Sequence, residues 1–130
     1  RKQLLYIKQE RQARFTSLSL LIIIEESYLQ RFSHTLDALD AFFQTVGEKD
    51  QAILISDMYG GSVNSTMYTY LDRSNTTLVA GVNLALVIGL TILEGDITRE
   101  TLESVIEQSR EAIRIVDLEK SGEEEEDELF

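Results

Sequence analysis

Apolar positions along the chain change their spacing several times, and each change predicts an element. The run Ala-Ile-Leu-Ile-Ser over 52–56 is continuously apolar, as in a strand covered by helices on both faces. Leu36, Leu39, Phe43 and Val46 recur with a helical period, which predicts a helix over 35–46. Ser33 or Thr35 can cap it and Gly47 stops it. Val63, Met67, Tyr70 and Leu71 give the buried side of the next helix, followed by a strand over 78–80 and an apolar helix over 84–93. Leu102, Val105, Ile106, Ser109 and Ile113 share one face of a helix over 100–112. Thr98 is its cap, and Glu100 and Glu103 sit near the positive end of the helix dipole. Residues 113–118, Ile-Arg-Ile-Val-Asp-Leu, then alternate like a final strand.

The first third is less regular. Residues 3–7 form a short apolar run with the character of a first strand, and 28–32 read as another. Residues 13–24 place Phe15, Leu18, Leu21 and Ile22 on one helical face, yet end in the β-prone Leu-Leu-Ile-Ile-Ile. Periodicity leaves both forms open there. Strands alternating with helices require crossover connections. The expected fold is therefore α/β and three-layered: a four-stranded, mainly parallel sheet, helices on both faces, and a short fifth strand at the C-terminus.

A chain of 130 residues, 43% apolar and 27% charged, is one globular domain with a real core. The expected division is a domain over 1–118 and an acidic, solvated tail over 119–130. That tail holds seven acids against one lysine, about half of the net charge of −11. The acidity argues against nucleic-acid binding. The chain contains no cysteine, which excludes thiol chemistry and, with no secretory signal, favours a cytoplasmic setting. No apolar run reaches membrane-spanning length, so direct membrane insertion is not expected.

The chemistry concentrates at the end of the 52–56 strand. There the chain reads Asp57-Met-Tyr-Gly60-Gly61-Ser62-Val-Asn64, a carboxylate at a strand end, two glycines and a helix opening. Carboxyl ends of strands beside helix N-termini are where α/β folds bind ligands. Gly60 and Gly61 let backbone approach a ligand closely, and Ser62 is a candidate cap for a helix end that favours anions. A second corner follows at Val-Ala-Gly81-Val-Asn83-Leu. Asn64 and Asn83 are candidates for shaping the rim, or equally for satisfying turn backbone.

These two segments, about twenty residues apart, resemble the mannose-class IIA component of the bacterial sugar phosphotransferase system (mannose, fructose and sorbose class). The resemblance is close over 52–93. It implies a IIA-type phosphocarrier that receives phosphate from the histidine phosphocarrier protein and passes it to a IIB domain, with no metal and no cofactor. It also implies a homodimer in which the last strand pairs with the neighbouring subunit's sheet. In such a site Asp57 orients the phosphorylated imidazole, while the main chain around Gly60, Gly61 and Ser62 stabilises phosphoryl oxygens.

The family's histidine follows its first strand, in a segment like Ser/Thr-His-Gly. Counted from the strand over 3–7, Gln9 occupies that slot, or Glu10 with a one-residue slip, and neither can carry a phosphoramidate. The single histidine, His34, stands in Phe-Ser-His-Thr ahead of a helix and reads as a surface or capping residue. The alternative function is a phosphorylation-incompetent IIA-like binding or regulatory subunit. A response-regulator-like domain fits poorly, because the first strand is followed by one acid only, Glu10.

Overall fold

The structure, a computed structural model, describes residues 2–11, 15, 17–25 and 31–119. Its elements run β1 (Lys2–Glu10), β2 (Ser17–Glu25), α1 (Arg31–Thr45), β3 (Asp50–Ser56), α2 (Ser62–Tyr68), β4 (Thr76–Ala80), α3 (Leu84–Ile92) and α4 (Arg99–Glu111). One four-stranded sheet has the order β1-β2-β3-β4. β2, β3 and β4 are parallel, and β1 lies antiparallel on the outer edge of β2.

β2 resolves the ambiguity of the first third as a strand. Its side chains alternate between two buried faces: Leu18, Leu20 and Ile22 join one core, Leu21 and Ile23 the other. That period-two burial outweighs the helical face read through Phe15, because a strand buries both sides of the Leu-Leu-Ile-Ile-Ile run. The strand expected over 28–32 falls partly outside the described residues. Residues 28–30 lie outside the described residues, and Arg31 and Phe32 already belong to α1.

Two cores flank the sheet and make it three-layered. Leu39 and Phe42 of α1 pack with Val63 and Met67 of α2 against Leu21, Ile23 and Leu54. On the other face Leu86 and Leu90 of α3 and Leu102 and Val105 of α4 pack against Leu20, Ile22, Ile53 and Ile55. Tyr70 closes the first core from outside. It stacks on Phe43 with centroids 5.4 Å apart and donates to Asp40 at 2.7 Å. Burial, and then that bond, push its phenol up to about 12.

Polar residues fasten the amino end of the sheet. Buried Asp50 accepts from the Ser17 hydroxyl at 2.5 Å and from the Gly47 amide at 2.7 Å. β1 is clamped to the C-terminus of α3. Gln9 donates to the Thr91 carbonyl at 2.9 Å, and Arg11 donates to the carbonyls of Leu90 and Leu93. A cation is favoured there by the negative end of the helix dipole. Desolvation lowers the Arg11 pKa and Asp96 opposes that shift; the guanidinium stays charged.

Residues 113–119 carry neither strand nor helix, and Ile113, Ile115, Val116 and Leu118 are exposed. The fifth strand expected over 113–118 is thus not formed among the described residues.

α3 and α4 approach closely at Gly89, where a Cβ would stand 2.7 Å from Val105 Cγ1. Gly89→Ala gains about 1 kcal/mol of helix propensity but overpacks this contact by about 1–3 kcal/mol. A stiff valine cannot swing aside. A net loss of about 1 kcal/mol, read as a lower denaturant midpoint, is the expected result.

Candidate functional site

The register defines a rim. Ile23, Ser56 and Ala80 lie level on neighbouring parallel strands, so the next residues, Ile24, Asp57 and Gly81, share the carboxyl edge of the sheet. The Gly81 amide donates to the Ser56 carbonyl at 2.8 Å, which holds the β4 corner against the β3 end. Gly81 does this at φ 93°, a backbone conformation that other residues resist.

Asp57 is the first residue past β3 and is half-buried. Beyond it Met58 and Tyr59 are exposed, and the Gly61 amide returns to the Met58 carbonyl at 3.3 Å. Gly60 takes φ 75°, which the reversal requires. Gly61, in extended conformation, is the N-cap of α2 and makes no side-chain cap bond. Ser62 is thus not the cap expected for it but the first helical residue, with an exposed side chain. The glycine pair displaces the cap by one position, because Gly61 can enter the helix without a side chain to place. The first-turn amides of α2 still lack intrahelical acceptors.

Asn64 turns out to lock the turn. Its Oδ1 accepts from the Gly60 amide at 3.3 Å, and its Nδ2 donates to the Ser56 hydroxyl at 3.0 Å. Asn83 is likewise absorbed by the backbone. It caps α3 by accepting from the Leu86 amide at 2.9 Å and donates to the Ser109 carbonyl at 2.6 Å, tying α4 to the rim. Beside it a groove of about 360 Å³ is lined by Leu4, Leu5, Ile22, Ile24, Val82 and Leu84.

Gln9 does not meet Asp57. It pairs with Leu18, which lies level with Gln51 near the start of β3. Five residues of strand separate that row from Ser56, roughly 16 Å at about 3.3 Å per residue. The cause is the antiparallel run of β1, which carries residues 8–10 toward the amino end of the parallel strands. β2, not β1, lies beside β3, and it ends at Glu25; residues 26–30, which follow it, lie outside the described residues. Their sequence, Glu-Ser-Tyr-Leu-Gln, contains no histidine. His34 is exposed in the first turn of α1, and no contact joins it to Asp57 among the described residues.

This strand–turn–helix rim matches a known sequence family. The family described as PTS system fructose IIA component covers residues 16–109, from the start of β2 through nearly all of α4, and leaves β1 outside. The chain belongs to this family. A crystal structure from Klebsiella pneumoniae, named as a phosphoenolpyruvate-dependent sugar phosphotransferase system permease, is similar at 27% identity and a TM-score of 0.57. The similarity covers 68% of this chain and 66% of that one, just under two thirds of its length. No curated protein matches the chain. Among the described residues no helix is long and apolar enough to cross a membrane.

Asn64→Ala removes both turn bonds, and with the longer one exposed the expected cost is about 1 kcal/mol. Amide hydrogen exchange at Gly60 should quicken at the same time. Asn64→Asp keeps the Oδ1 acceptor and reverses the Ser56 bond, the hydroxyl now donating to the carboxylate, so it should leave Gly60 protected.

Proposed function

We propose that this IIA-family chain works as a cytoplasmic component of a bacterial sugar phosphotransferase system, meeting the histidine phosphocarrier protein and a IIB domain at its Asp57 rim. Within these residues it does so without holding the phosphoryl group itself. One observation supports this: Asp57 and the Gly60–Gly61 turn stand beside Gly81 on the rim, while no imidazole contact to Asp57 occurs among the described residues. In a IIA site such a carboxylate fixes the tautomer and direction of a histidine ring. Here it is left to face groups brought by a partner. The Gly60 and Gly61 amides are used inside the turn, on Asn64 and Met58, so the Ser62 amide and hydroxyl are the donors suited to phosphoryl oxygens. α2 has seven residues, so these local groups matter more than its dipole.

A carrier role through His34 is the second reading. It is favoured by one placement: α1 begins on the same side of the sheet as the end of β2.

The chain should be incubated with phosphoenolpyruvate, enzyme I and the phosphocarrier protein, then weighed by mass spectrometry. The expected mass is unchanged, with NMR shifts on partner addition confined to Asp57 and the 58–62 turn and weakened by Asp57→Asn. An acid-labile phosphate on His34 would replace this reading by the carrier one. No shifts with any partner would remove the binding role.

A further inference from the structure

We propose that Met58 is a site of reversible sulfoxidation, at which a peroxide turns part of the Asp57 rim from apolar to polar. The sulfur step belongs to this chain alone. Only its consequence for partners rests on the binding role given to the rim.

Sulfur chemistry in this chain has one accessible point. There are two methionines and no cysteine. Met67 of α2 is fully buried in the core that α1 and α2 share, whereas Met58 is 62% exposed. A peroxide in solution therefore meets a single thioether, and that one follows Asp57 directly. No thiol stands ahead of it to react first.

The reaction needs little from the protein but access. A sulfur lone pair attacks one peroxide oxygen, an S–O bond forms as the O–O bond breaks, and the second oxygen leaves as water. Sulfur is oxidised and the peroxide reduced by the same electron pair. Repair takes the opposite course. A reductase dithiol supplies an electron pair and becomes a disulfide, and the sulfoxide oxygen departs as water. Lacking cysteine, the chain cannot repair itself, so the oxidised form persists until a reductase removes it.

Position gives the oxidation its consequence. A Cβ at Gly61 would stand 3.3 Å from Met58 Cε, so the thioether methyl lies over the glycine that opens α2. The next residue, Ser62, has an exposed side chain, and its amide and hydroxyl donate to nothing among the described residues. A sulfoxide oxygen is a polar acceptor brought beside those donors. It competes for them with any oxygen a partner presents. It also replaces an adaptable apolar contact by a polar, chiral one. Of the two large side chains exposed beside Asp57, only Tyr59 then remains for apolar docking.

The test treats the full chain with dilute hydrogen peroxide and follows it by peptide mass mapping and amide NMR. Met58 should gain one oxygen atom about tenfold or more faster than Met67, whose sulfur reacts only when the core opens. The Ser62 amide should then shift and exchange more slowly, and methionine sulfoxide reductases supplied with a dithiol should restore the first spectrum. Met58→Leu keeps an apolar side chain over Gly61 and should leave Ser62 unmoved under the same peroxide. Met58→Gln places an amide oxygen there and should reproduce part of the shift without peroxide. Equal rates at the two sulfurs would overturn the proposal. So would an oxidised Met58 that leaves Ser62 unmoved, or a sulfoxide that the reductases cannot reach. None of these readouts involves a partner, so a rim that binds no phosphotransferase protein would sink that reading and leave this one standing.

Discussion

The parallel pairing of β2 with β3 is the constraint on which the rest of the molecule depends. It places Ile23 beside Ser56 and thereby fixes which residues reach the rim. It also buries the Leu-Leu-Ile-Ile-Ile run of β2 on both faces, where each large side chain is worth about 1.5–3 kcal/mol of transfer free energy. A slip of one residue would exchange the two cores, sending Leu20 and Ile22 toward α1 and Leu21 toward α3. The register is therefore strongly specified, and the position of Asp57 follows from it.

The rim itself is held by polar residues whose work is local. Asn64 ties Gly60 to Ser56, Gly81 hangs on the Ser56 carbonyl, and Asn83 joins α3 to α4. Ser56, fully buried, is the common anchor of the first two. The Asp57 carboxylate is thus presented from a braced frame, with exposed Met58 and Tyr59 beside it. Such a frame suits recognition, since the groups that would meet a partner need not be ordered on binding.

Much of this was legible in the chain. The apolar run ending at Ser56, the two glycines and the Gly-Val-Asn-Leu corner put the rim in its place, and Thr98 caps α4 as its position implied. The glycine pair hid the true cap: Gly61 takes that position although Ser62 has the preferred chemistry. The parallel run of β2, β3 and β4 follows from the crossovers, but the direction of the first strand was not legible. Nothing in Leu4-Leu5-Tyr6-Ile7 tells an antiparallel edge strand from a parallel one, so Gln9 was expected at the wrong end of the sheet. The clamp of Gln9 and Arg11 on α3 depends on contacts 79 and 82 positions away, which no local pattern carries.

The account rests on which strand lies beside Asp57's strand, and backbone NMR contacts test that most directly. The structure predicts cross-strand contacts between Ile22 and Ile55 in parallel geometry, between Leu5 and Ile22 in antiparallel geometry, and from the Gln9 side chain to Thr91. Contacts linking Gln9 or its neighbours to Asp57 and the Gly60 turn would contradict it, because they would put the first strand where β2 stands.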